Sequence, residues 1–138
     1  MPHDPVLVAE VRAWLAKAAK DLAAASYEMQ AIPPFADDVA FHSQQAVEKT
    51  LKGFLAWYQN TFRKTHNLIE LGEACIRIDP SLEHALRRAA PLTEYAWKFR
   101  YPSTPQEATV QEATEALAIA RYVFDMVVRL LPPDVEPK

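Results

Sequence analysis

Apolar residues recur at spacings of three and four along most of the chain, the pattern of helices that each bury one face. Leu7, Val11, Trp14, Ala18, Leu22 and Ala25 form the first stripe and predict a helix from about Pro5 to Met29. Asp4 stands where its side chain can cap that helix, Pro5 opens it, and Pro33-Pro34 closes it. Ala40, Val47, Leu51, Phe54 and Tyr58 form the seam of a second helix, from about Asp37 to Asn60. At 100° per residue, His42, Gln45, Lys49 and Lys52 share an arc of roughly 80° on the opposite side of that helix, which places them in a surface cluster.

A short third helix is predicted from Asn67 to Arg77, with Asn67 and Glu70 spaced as a capping box. Asp79-Pro80 restarts the chain. Ala85, Ala89, Leu92, Ala96 and Phe99 mark a fourth helix, which Pro91 should kink or split because an interior proline costs about 3 kcal/mol. After a loop at residues 100–103, Thr104, Pro105 and Glu107 read as N-cap, first-turn proline and capping-box acid of the last helix. Val110, Ala113, Leu117, Ala120, Phe124, Val127 and Leu131 then keep a strict three-four alternation. No stretch alternates with period two. The expected fold is all-α: an antiparallel up-and-down bundle of four long helices plus one short helix.

Composition narrows this picture only a little. The chain has 138 residues, enough for one core without staples, and reads as a single domain over residues 1–131 with a short acidic, proline-rich tail at 132–138. Two glycines against eleven prolines suit helices punctuated at their ends. A net charge of −3 argues against a general nucleic-acid coat, though not against a local basic patch. Cys75 is the only cysteine, so neither a disulfide within the chain nor a cysteine-based zinc site is expected, and no cofactor or metal is called for. The start lacks a basic leader and no apolar run is long enough to span a bilayer, so a cytoplasmic protein away from membranes is expected.

Three segments carry a family resemblance. Phe41-His42-Ser43-Gln44-Gln45-Ala46-Val47-Glu48-Lys49-Thr50-Leu51-Lys52 resembles the second-helix signature of HEPN domains (higher eukaryotes and prokaryotes nucleotide-binding). Lys64-Thr65-His66-Asn67-Leu68 is similar to that family's turn between helices two and three, and Phe99-Arg100-Tyr101-Pro102 to the loop before its last long helix. The resemblance implies a helical bundle that forms a homodimer and works beside a minimal nucleotidyltransferase. It also implies either a module that binds nucleotide or RNA, or a metal-independent ribonuclease of the kind found in toxin–antitoxin pairs.

The family's ribonuclease motif pairs an arginine with a histidine, with four to six residues between them. Histidine exchanges protons with the RNA hydroxyl or leaving oxygen while arginine neutralises charge on phosphate. Arg100 occupies the arginine's place, but the last histidine in the chain is His84. Arg77 and His84 match the spacing only across the Asp79-Pro80 break, in the wrong part of the chain. The binding reading is therefore the main expectation, with His42, Gln45, Lys49, Arg63, His66, Arg100 and Tyr101 as candidate ligand contacts. Plainer roles stand beside it. Glu48 and Lys52 have the spacing of a helix-surface ion pair, and His66 can serve the end groups of its turn. Arg63, Lys64 and His66 beside Phe62 make a basic-aromatic loop, and Tyr101 can simply pack its ring.

Overall fold

The computed structural model describes residues 2–102 and 107–138. Five α-helices follow in order: α1 (Pro5–Met29), α2 (Ala36–Trp57), α3 (Leu68–Ile78), α4 (Glu83–Ala89) and α5 (Val110–Leu130). Single 3₁₀ segments occupy Pro80–Leu82, Ala90–Ala96 and Pro133–Val135, and there is no strand among the described residues.

The side-chain pairings give the topology. Asp21 faces His42 and Lys49, and the His3 ring meets Trp57, so α1 and α2 run antiparallel. Asp37 accepts from the Ala108 amide beside the α1–α2 turn, and Asp134 meets His3 at the other end, so α5 runs antiparallel to α1. Between them the chain doubles back from Tyr58 to His66, descends in α3 and climbs again through α4 and Ala90–Ala96. The result is the expected up-and-down helical bundle. Its fourth stretch is divided at Pro91, as the missing amide of an interior proline requires: α-helix before, 3₁₀ after.

Two helix starts repay attention. Asp4 caps α1 by accepting from the Val6 amide, and Asn67 caps α3 by accepting from Ile69 and Glu70. The return half of the Asn67–Glu70 box is not made, because Arg63 holds the Glu70 carboxylate and the Asn67 amide donates to Thr65. The last helix begins at Val110, where Thr109 and Glu112 form a complete capping box. Glu107 is therefore not a capping acid of α5, which corrects the start read from the sequence. Thr104 and Pro105 lie outside the described residues.

The core runs along α2, the central helix. From Val39 to Ala56 most of its positions are buried, apolar and polar alike, against α1, α5, α3 and the Ala90–Ala96 segment. Val11, Leu15, Leu51, Phe54, Leu55, Val123 and Val127 fill the centre. Cys75 is buried there as a small hydrophobe, and burial pushes its thiol up to about 12, far from thiolate reactivity. Val135, in the tail, is also buried in this core. No described helix is long and apolar enough to cross a membrane.

Gly53 sets the distance between α1 and α2. A Cβ built there would meet Leu15 Cδ2 and Trp14 Cβ at 3.2 Å, inside ordinary contact. Gly53→Val should therefore lower stability by about 1–3 kcal/mol through overpacking, outweighing the gain in helix propensity. A thermal melt equal to or above wild type would show that the two helices can simply part.

Candidate functional site

The polar residues of α2 are sorted by the elements packed against them. His42 and Lys49 turn toward α1, where both reach Asp21. His42 Nδ1 lies 3.0 Å from Asp21 Oδ1 and Lys49 Nζ 2.6 Å from Asp21 Oδ2. The other ring nitrogen of His42 lies 3.7 Å from Glu28. Burial holds the Glu28 carboxyl above its usual range, with His42 opposing and Asp38 adding to that shift. These groups form a compact, partly buried interhelical network in which Lys49 and His42 both face carboxylates.

A second network centres on Glu48, whose side chain is only 5 % exposed. Lys52 Nζ donates to its Oε2 at 3.0 Å, while Gln44 donates to Oε1 at 3.2 Å and His66 Nδ1 lies 2.8 Å from the same oxygen. Gln44, fully buried, also donates to the His66 carbonyl, which ties the returning loop to the helix. Gln45 donates to Gln44 Oε1 at 2.7 Å. Lys52 is buried beneath Trp14 and Phe62, its Nζ 5.6 Å and 6.0 Å from their ring centroids. The expected surface cluster is thus corrected. α2 has neighbours on its polar side as well as along its seam, so that arc is roofed by α1 and the loop.

Phe41, Gln45, Glu48 and Lys52 share one stripe of α2, within about 60° of each other. Arg100 joins it at one end, its guanidinium carbon 4.2 Å from the Phe41 ring centroid. His66 joins it two turns further on, through Glu48. Seven residues of helix separate Phe41 from Glu48, or about 10 Å. The stripe brings Arg100, Gln45 and His66 together. Tyr101 follows Arg100 on the surface and is exposed, as is Trp97 nearby in the chain. Arg63 is not part of it: its Nε donates to both oxygens of Glu70, at 2.7 and 3.1 Å.

Phe41, Asp21 and Glu48 hold this arrangement, and none was singled out from the sequence as a site residue. A signal existed for two of them. Asp21 interrupts the apolar stripe of α1 between Ala18 and Leu22, and Glu48 flanks the α2 seam beside Val47 and Leu51. A carboxylate at such a position must find a cationic partner when the helix packs.

The geometry defines a helical bundle whose central helix carries an ion-paired polar stripe, reached by an exposed arginine from the segment before the last helix. The sequence profile of the HEPN domain matches residues 11–131, and the chain belongs to that family, whose helical modules are nucleotide- and RNA-related. No curated protein and no solved structure matches it significantly.

Proposed function

We propose that this HEPN module binds nucleotide or RNA along the α2 stripe, with Arg100, Tyr101, Gln45 and His66 as its contacts. His42 and Lys49 support that surface from the α1 side. The observation that carries the reading is the state of Arg100. Among the described residues it has no carboxylate partner, whereas His42, Lys49, Arg63 and His66 all face acids. A guanidinium stacked on an aromatic ring keeps its N–H groups for phosphate while the ring side supports a base.

Fluorescence anisotropy with a labelled single-stranded RNA and with ATP tests this. Binding should weaken as salt rises, because charge neutralisation drives it. Arg100→Ala should weaken it about tenfold or more, the usual loss for a hydrogen bond to a charged group. The absence of binding to either probe at low salt, or binding indifferent to Arg100→Ala, rejects the reading.

The same proposal places the module in the cytoplasm as a homodimer that acts with a minimal nucleotidyltransferase. Phe41 and Trp57, on the flanks of the α2 seam, meet Arg100 and His3 within the chain and do not argue for a partner. Family membership and the exposed Tyr27, Ile32, Phe35 and Trp97 side chains are what support self-association. Sedimentation at micromolar concentration should give twice the chain mass of 15.6 kDa. A single monomeric species there removes the homodimer from the proposal and leaves the binding site to its own test.

A further inference from the structure

Phe62, whose ring lies beside Lys52 of the α2 stripe, also lines a cleft formed with the returning loop and α3. This cleft, about 250 Å³ in volume, is lined by Leu55, Asn60, Thr61, Phe62, Arg63, Glu70, Leu71, Ala74 and Arg77. Its floor is apolar, with Leu55 and Leu71 fully buried beneath it. Its rim is cationic on balance, with two arginines against one carboxylate. Arg63 spends only Nε on Glu70, so both terminal nitrogens of its guanidinium stay available. Arg77 has no hydrogen-bond or ion-pair partner among the described residues.

Plainer accounts cover only part of this. Arg77 lies in the last turn of α3, where a cation suits the helix end. That explains its charge but not a second arginine across an apolar floor. The Arg63–Glu70 pair is exposed, and such pairs contribute little, so Arg63 can exchange its carboxylate for another anion at small cost.

We propose that this cleft binds a small organic anion, its carboxylate or phosphomonoester head held between Arg63 and Arg77 and its apolar group seated on Leu55, Leu71 and Ala74 against Phe62. Pockets for drug-sized ligands run from about 300 to 1,000 Å³, so a cleft below that range suits a single ring or a short branched chain. The two head groups share the forked recognition that guanidinium provides. This site is separate from the α2 stripe and does not depend on it.

The test is amide-resolved NMR titration of the whole chain with phenyl phosphate and, separately, phenylacetate. Inorganic phosphate and benzyl alcohol serve as the head alone and the body alone. Saturable shifts are expected at residues 60–63 and 74–77 with at least one aromatic anion, and the stronger of the two identifies the preferred head group. Arg77→Gln should weaken that binding about tenfold or more. Arg87→Gln, on α4 outside the cleft, and Arg100→Ala, on the α2 stripe, should leave it unchanged. An unaltered thermal melt for Arg77→Gln shows that its effect is local, and Ala74→Leu, which fills the floor, should reduce binding independently. The proposal is overturned if neither aromatic anion saturates, if Arg77→Gln and Ala74→Leu both bind as wild type does, or if inorganic phosphate binds as tightly as phenyl phosphate.

Discussion

Glu48→Ala should be the most damaging single substitution in the polar part of this bundle, lowering stability by about 3–5 kcal/mol. The reason lies in what it leaves behind. Lys52, whose side chain is 10 % exposed, would keep its charge under Trp14 and Phe62 with no counter-ion. Gln44 would lose one of its two acceptors, and His66 its only one among the described residues. In a domain of this size each kcal/mol moves the melting temperature by roughly 3 °C or more, so a fall of about 10 °C or more is expected. Asp21→Ala should cost less, because the His42 and Lys49 side chains it serves are 27 % and 23 % exposed and water can replace it. Replacing both members, as Glu48→Leu with Lys52→Met, should restore much of the loss, since a buried ion pair exchanged whole for apolar side chains is often nearly neutral. A melting temperature for Glu48→Ala within about 3 °C of wild type would mean that Lys52 finds water on its own.

The fold was legible because its signals are local. Helix periods, proline positions and caps at Asp4, Asn67 and Asp79 each act within a turn or two, and each appears where it was read. The one misplaced start shows how such signals compete. Thr104-Pro105-Gln106-Glu107 and Thr109-Val110-Gln111-Glu112 both have the spacing of a capping box, five residues apart. Thr109 and Glu112 form the box that starts α5, and the apolar alternation of the helix begins inside it at Val110.

The site was legible only in part, because burial of a polar face is decided by other elements. Nothing within α2 states that α1 will approach closely enough for Asp21 to reach both His42 and Lys49. That approach depends on Gly53 in α2 opposite Trp14 and Leu15 in α1. Likewise, Arg63 and His66 stand three residues apart in one loop yet serve different acids, Glu70 and Glu48. Arg100 could be singled out from its loop, but its placement on Phe41 follows from how the Ala90–Ala96 segment packs against α2.

The same geometry bears on catalysis, and the purified protein should show no more than trace metal-independent ribonuclease activity. A guanidinium such as that of Arg100 can neutralise a phosphate but keeps its proton at neutral pH, so cleavage needs a second group to exchange one. His42 is turned toward α1, with Nδ1 on Asp21 and Nε2 3.7 Å from Glu28, and not toward Arg100. His66 keeps one nitrogen open, with the other on Glu48, an arrangement suited to proton transfer. It is anchored on Glu48, however, whereas Arg100 is anchored on Phe41 about 10 Å away along α2, so the two are held at separate points of the stripe. General acid–base help is worth about a hundred- to ten-thousand-fold in rate, and its absence sets the size of the expected deficit. Structured and unstructured RNA incubated in chelator with wild type, Arg100→Ala and His66→Ala should all remain largely intact. A homodimer could bring His66 of one protomer beside Arg100 of its partner, and the two variants guard against that case. Rapid cleavage by wild type, lost in both variants, would establish a shared active site and replace the binding module with a ribonuclease of the toxin kind.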